Sequence, residues 1–171
     1  GNDAIDASDL FAGLDAVDLP SVGITAYGGA GNDLAHYGGD TVGVNSDLAA
    51  GTAAGGHAEG DVFSGIERVW GGSGDDTITG DSGHNDLRGA AGDDSLAGGV
   101  GSDQLEGGAG ADTLDGGDGT DLAFYQNDTA GVNIDLAAGT ASGGEAEGDV
   151  LTNIENLSGG FGDDTLTGDA G

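Results

Sequence analysis

The sequence predicts an all-β solenoid, a stack of short repeated turns with a thin interior. Three observations carry this: a nine-residue period, a second period of about 88 residues above it, and a composition too poor in apolar residues for an ordinary core.

The short period comes first. From Gly71 the chain divides without a gap into GGSGDDTIT, GDSGHNDLR, GAAGDDSLA, GGVGSDQLE, GGAGADTLD and GGDGTDLAF. Positions one and four are always Gly. Position six holds Asp76, Asn85, Asp94, Asp103, Asp112 and Asp121, and position eight holds Ile78, Leu87, Leu96, Leu105, Leu114 and Ala123. The unit returns as GGAGNDLAH from Gly28 and GGFGDDTLT from Gly159, and pieces of it open and close the chain as GNDAID and GDAG. The chain therefore reads as a segment of a longer repeat protein.

The long period aligns residues 28–83 with 116–171 without gaps, at roughly two-thirds identity. DLAAGTAAGGHAEGDV from Asp47 reappears as DLAAGTASGGEAEGDV from Asp135. Duplication of this kind suits an array in which each unit contacts its neighbours.

Composition adds a physical condition. The 171 residues carry a net charge of −30, forty glycines, and only Arg68 and Arg88 as basic residues. Leu, Ile, Val and Phe make up a little under a fifth of the chain. Such a balance ordinarily means disorder, because burial cannot offset the entropy of ordering a glycine-rich backbone. A multivalent cation that neutralises carboxylates and cross-links loops would supply the missing stability. The acidic balance excludes nucleic acid and anionic membrane surfaces as partners. No apolar run approaches the length of a membrane span, no signal peptide is visible, and there is no cysteine.

The nonapeptides resemble the repeats-in-toxin (RTX) hemolysin-type calcium-binding repeat, G-G-x-G-x-D-x-U-x. The resemblance implies a parallel β-roll in which two nonapeptides make one turn, with Ca²⁺ between loops two repeats apart. Carried onto this chain, ions are expected between Asp76 and Asp94, Asp94 and Asp112, Asn85 and Asp103, and Asp103 and Asp121. Partial sites are expected at Asp3, Asp33 and Asp164, where the regular stacking is interrupted.

The residues suit that ion. Glycines at positions one, two and four leave carbonyls uncovered, and those near Gly72, Gly74, Gly92, Gly99, Gly101, Gly108, Gly110, Gly117 and Gly119 join the position-six carboxylates in an oxygen-only donor set. Ca²⁺ takes six to eight oxygens, whereas Zn²⁺ wants His or Cys and Mg²⁺ keeps its water. Asn85, a neutral amide where the pattern asks for Asp, should bind more weakly. Position eight should face inward, while positions seven and nine, such as Thr113, Asp115 and Glu106, should face solvent.

The regular block covers 71–124 of a single roll spanning 1–171. The segments 7–27, 37–70 and 125–158 lack the nonapeptide but keep alternation, as in Val132, Ile134 and Leu136, or in Val42, Val44, Ser46 and Leu48. Each of the two longer segments reads as about two irregular turns that continue the solenoid, with a Gly-rich loop at 51–56 or 139–144; the alternative is a protruding hairpin. Leu10, Leu14, Val22 and Ile24 are candidate core for the first. His36, His57 and His84 read as solvated, Trp70 and Tyr125 as covers for interrupted core. Glu59 with Asp61, and Glu147 with Asp149, read as solvated loop or an accessory calcium site; a glycosidase pair lacks an accompanying aromatic platform. No catalytic residue is expected. The resemblance implies a calcium-binding structural module, exported through a one-step secretion channel and folding in calcium outside the cell. The parent is open: an enzyme (protease, lipase or polysaccharide epimerase) with this as accessory module, or an adhesin or surface-layer protein with this as spacer. Ends that fall within a repeat raise end-to-end self-association as an expectation.

Overall fold

The computed structural model describes residues 17–18 and 23–169. The expectations for Asp3, Leu10, Leu14 and Val22 lie outside them. Strands β1 (Val17–Asp18), β2 (Thr25–Tyr27) and β3 (Leu34–His36) lead into the first insert. That insert holds β4 (Asn45–Asp47), β5 (Thr52–Ala54), a 3-10 turn at Gly56–Ala58, β6 (Asp61–Ser64) and β7 (Arg68–Trp70). The regular block follows with β8 (Thr77–Thr79), β9 (Asp86–Ala91), β10 (Ser95–Gly101), β11 (Gln104–Ala109), β12 (Thr113–Gly119) and β13 (Leu122–Phe124). The second insert and its return are β14 (Asn133–Asp135), β15 (Thr140–Ser142), a 3-10 turn at Gly144–Ala146, β16 (Val150–Thr152), β17 (Asn156–Ser158) and β18 (Thr165–Thr167).

Outside the inserts, where β4–β6 and β14–β16 stay in one sheet, successive strands alternate between two sheets. One has seven strands in the order β1-β3-β7-β9-β11-β13-β17, and the other eleven, β18-β14-β15-β16-β12-β10-β8-β4-β5-β6-β2. In the regular block Leu96 stands beside Ile78 on one side and Leu114 on the other, and Leu105 beside Leu87 and Ala123. Neighbours are 18 residues apart, so two nonapeptides make one turn of a parallel β-roll. The ladder reaches past position nine into the following loop, since Gly99, Val100 and Gly101 pair with Gly117, Asp118 and Gly119.

Period-two alternation buries position eight. Ile78, Leu87, Leu105, Leu114 and Ala123 are fully enclosed between the sheets, and Leu96 nearly so. Two such side chains per turn make a core one residue wide. Ala35, Val69, Ile66, Phe63, Ile134, Leu151 and Ile154 prolong it beyond the block, and Ile24 packs partly buried against it.

The outward faces are less uniform than alternation predicts. Position seven is exposed at Thr77, Ser95, Gln104 and Thr113. Position nine is not: Glu106 is 6% exposed, Phe124 is buried, and Asp115 is half-buried. The expectation that Glu106 faces water is therefore corrected. The turn at Gly144–Ala146 packs onto β11, and Asn127 donates to Glu106 Oε1, so the second insert covers this outer face. Val42, also placed with the inward set, is exposed, whereas Val44, Ser46 and Leu48 are buried.

Each insert is a single turn of the roll with a hairpin laid into one sheet. β4 and β14 run parallel to β8 and β18, while β5 and β15 run antiparallel to their neighbours. β6 returns beside β2, and β16 beside β12. Each insert thus adds two strands to the eleven-stranded sheet and none to the other. Every strand from β3 to β8 has its counterpart 88 residues later, so the duplicated sequence builds a duplicated topology.

Candidate metal sites in the loop columns

The turns between strands stack into two columns, one along each edge of the roll, and position six sits at the foot of every loop. In one column the Asp76 N–H donates to Asp94 Oδ1 (2.7 Å), Asp94 N–H to Asp112 Oδ1 (2.8 Å), and Asp112 N–H to Asp149 Oδ1 (2.9 Å). In the other, Asn85 N–H donates to Asp103 Oδ1 (2.8 Å), Asp103 N–H to Asp121 Oδ1 (2.8 Å), and Asp121 N–H to Glu155 Oε2 (2.8 Å). Each carboxylate thus spends one oxygen on the backbone of the neighbouring turn.

The second oxygen is the informative one. Oδ2 of Asp94, Asp103, Asp112 and Asp121 is buried without any hydrogen-bond partner, and so is Oδ2 of half-buried Asp33. Buried charged oxygens left unpaired are costly. Burial pushes the Asp94 carboxyl up to about 7 and Asp112 to about 6, with neighbouring aspartates adding to the rise against the lowering effect of backbone donors. Asp76 and Asp103 move upward from the same first cause, burial.

The glycines shape the space around those oxygens. A Cβ on Gly89 or Gly107 would overlap the Oδ2 of Asp94 or Asp112, so position one must be bare for the carboxylate to fold beneath it. At position four, a Cβ on Gly101, Gly110 or Gly119 would strike the carbonyl oxygen of Gly83, Gly92 or Gly101 one turn below. Gly92 stands similarly over Gly74 O, and Gly99, Gly108 and Gly117 at position two stand over the carbonyls of Asp81, Ala90 and Gly99. The loops therefore bring backbone carbonyls and orphaned carboxylate oxygens together. No three His, Cys, Asp or Glu side chains converge among the described residues, so a cation here draws on backbone oxygen beside single carboxylates. That donor chemistry fits Ca²⁺ and not Zn²⁺.

Several sequence-derived residues sit differently. Gly72 and Gly74 abut Asp40 and Gly43 of the first insert on one side, while on the other the Gly72 carbonyl accepts the Ala91 N–H (3.2 Å) and the Gly74 carbonyl lies under Gly92 of the next nonapeptide loop. Asn85 is satisfied internally, its Oδ1 accepting the Asp81 N–H (2.9 Å) and its Nδ2 donating to Glu67 O (3.3 Å). Asp76 Oδ2 accepts the Gly72 N–H (2.8 Å) and its Oδ1 the Val44 N–H (2.7 Å). Asp164 Oδ1 accepts the Val132 N–H (3.0 Å), and Asp33 N–H donates to Glu67 Oε2 (3.0 Å). His84 is exposed, its Nδ1 accepting the Ser102 N–H (2.8 Å).

The inserts hold further column carboxylates: Glu67 and Glu155, which the sequence reading does not single out, and Asp61 and Asp149, which are buried instead of lying in a solvated loop. Asp149 and Glu155 complete the columns after Asp112 and Asp121, and Asp61 and Glu67 do the same after β2 and β3. A signal was present: DVL at 149, ENL at 155, DVF at 61 and ERV at 67 all keep the acid two residues before an inward aliphatic or aromatic, with the glycines gone. Asp149 and Asp61 differ from the regular positions in one respect. Their second oxygens accept the hydroxyls of Tyr125 (2.8 Å) and Tyr37 (3.0 Å), both buried. Asp40 and Asp128, also buried, accept backbone N–H groups of Val42 and His57, and of Ala130, Gly131 and Glu145.

Stacked turns with oxygen-only loops define a calcium-binding β-solenoid. The RTX calcium-binding nonapeptide repeat matches this chain over residues 61–96, 88–123 and 152–171, in four copies. These residues carry the RTX calcium-binding nonapeptide repeat, which binds Ca²⁺. A comparison with curated proteins gives no match.

Proposed function

We propose that this chain is a calcium-dependent structural module of a secreted protein, folding where calcium is plentiful outside the cell. The observation that carries it is the row of buried, partnerless Oδ2 atoms on Asp94, Asp103, Asp112 and Asp121. Each is unfavourable in the metal-free chain and becomes a ligand when a cation enters between the loops. Ca²⁺ supplies positive charge that offsets part of the −30 and binds loops of adjacent turns to one another. The chain's own contribution is to hold position-six carboxylates and position-two and position-four carbonyls at one depth in every loop. The sites proposed are those between Asp76 and Asp94, Asp94 and Asp112, Asn85 and Asp103, and Asp103 and Asp121, with Asp33 and Asp164 partial. Because the core is one side chain wide, binding energy acts as folding energy.

No catalytic role is assigned to this chain. The duplicated topology favours a spacer in a long surface protein over an accessory module of a secreted enzyme, since repetition extends reach without adding a new site.

Far-ultraviolet circular dichroism tests the central reading. In chelator the spectrum should be that of a disordered chain. Ca²⁺ should restore β structure with a midpoint on the order of 10⁻⁴–10⁻³ M, as in extracellular calcium modules, and Mg²⁺ should not. A folded spectrum in chelator would refute it.

A further inference from the structure

The position-six carboxylates turn their second oxygen in one direction along the column. A Cβ on Gly98 would meet both Asp103 Oδ2 of its own loop and the Gly116 carbonyl of the next turn. A Cβ on Gly89 would likewise meet Asp94 Oδ2 and the Gly107 carbonyl. Each orphaned oxygen thus lies between its own loop and the loop that follows. Asp103 Oδ2 serves the interval up to Asp121. Asp121 Oδ2 faces one interval further, past the last nonapeptide loop of the block.

That interval is closed by the turn of the second insert that leads into β17. A Cβ on Gly116 would meet Asp121 Oδ2 and the carbonyl oxygen of Asn153, which stands where position one of a further loop would stand. Asn153 holds φ 52°, a left-handed backbone that favours glycine. Glu155 takes the place of position six: its Oε2 accepts the Asp121 N–H at 2.8 Å, and its Oε1 makes no hydrogen bond among the described residues. Asp121 is fully buried, and its Oδ2 has no partner.

The first copy repeats this arrangement 88 residues earlier. Asp33 Oδ2 is buried without a partner, the Gly65 carbonyl stands against Gly28, and Glu67 Oε2 accepts the Asp33 N–H. Gly65 holds φ 64° where Asn153 holds 52°. The copies differ at the next residue but two: Arg68, whose Nη2 donates to Asn32 O (2.9 Å), stands where the second copy has Asn156. The other column is built differently. There Asp149 Oδ2 accepts the Tyr125 hydroxyl, so a cation past Asp112 finds no second free carboxylate oxygen.

We propose that a calcium ion binds between the loop 116–121 and the turn 153–155, outside every pair of nonapeptides, with Asp121 Oδ2, the Asn153 carbonyl and Glu155 Oε1 as donors. The assignment rests on the calcium reading of the regular loops. The matching site at Asp33 and Glu67 is the weaker of the two, because the Arg68 guanidinium sits beside it.

Native mass spectrometry of the whole chain across a calcium titration counts the ions, and circular dichroism follows the fold. Glu155→Gln keeps an acceptor for the Asp121 N–H, so in calcium it should fold as the wild type does. At the calcium level that just saturates the wild type it should carry one ion fewer, and that ion should need roughly tenfold more calcium, the scale on which ligand charge tunes such sites. Asn156→Arg installs the residue of the first copy and should show the same single loss. Asp103→Ala removes a ligand of the regular block and calibrates the assay. An unchanged ion count in both Glu155→Gln and Asn156→Arg overturns the proposal, and a lowered count in Asp103→Ala then leaves the calcium reading of the loops standing. A wild-type chain that takes up no calcium overturns both.

Discussion

Replacing Tyr125 by Phe removes one oxygen and leaves the ring in place. That oxygen donates to Asp149 Oδ2 at 2.8 Å, in a setting where Tyr125 is wholly enclosed and Asp149 is 2% exposed. Burial and the neighbouring Asp149 charge raise the phenol well above its ordinary pKa, so it remains a donor across the accessible pH range. Asp149 Oδ1 is occupied by the Asp112 N–H at 2.9 Å, so nothing on that side can turn to serve Oδ2. The variant should lose a hydrogen bond to a charged group and strand a buried carboxylate oxygen, about 2–3 kcal/mol together. Denaturant unfolding at fixed calcium, followed by circular dichroism, measures it. Tyr27→Phe, at an exposed hydroxyl, is the control and should stay within about 0.5 kcal/mol. A Tyr125→Phe loss no larger than the control's would mean that Asp149 Oδ2 is served by something other than the phenol, and the account of the insert would fail.

Three further outcomes follow from the loops. Ala90 holds position two at φ 87°, where Gly108 and Gly117 stand in neighbouring turns of the roll, so Ala90→Gly should raise the thermal midpoint by relieving about 1 kcal/mol of backbone strain; an unchanged or lower midpoint counts against it. Asp103→Ala should weaken calcium binding in isothermal titration more than Asn85→Ala, because Asp103 carries an orphaned charged oxygen while the Asn85 amide is already satisfied; the reverse order would undo the two-repeat pairing. Asp94 and Asp112, held at about 7 and about 6 against an ordinary 3.8, favour the protonated carboxyl in the calcium-free fold. Their contribution is therefore present below about pH 4 and lost as pH rises through 6 to 7, so calcium-depleted chain should show more β structure at pH 5 than at pH 8, and the calcium midpoint should tighten over the same rise. Structure that grows with pH in the absence of calcium would contradict this.

The regular block was legible because each of its constraints is local. A glycine under which a carboxylate must fold, and an aliphatic two residues after that carboxylate, recur every nine residues and leave a trace a reader can count. Glu67, Asp61, Asp149 and Glu155 keep the acid-to-aliphatic spacing, but their column partners lie 34 to 37 residues away, and without glycines nothing nearby marks them. The burial of Glu106 was illegible for a different reason. Alternation states which way a side chain leaves its strand, not whether a distant segment such as Asn127 will cover it. Tyr125 was read as a cover for exposed core, and its ring does lie inside; its hydroxyl contact with Asp149 joins residues 24 apart, which no periodic signal contains.

The unequal strand count of the two sheets has a geometric consequence. Hydrogen-bonded strands are spaced about 4.8 Å apart, so two extra strands lengthen one side of the stack by roughly 10 Å per insert while the other side gains nothing. Each insert is a wedge, like a tapered stone in an arch. Both wedges open toward the same sheet, because β4–β5 and β14–β15 join the same eleven-stranded face. Their tilts should therefore add and bend the roll toward its shorter, seven-stranded side, the side that carries Trp70 and Arg88.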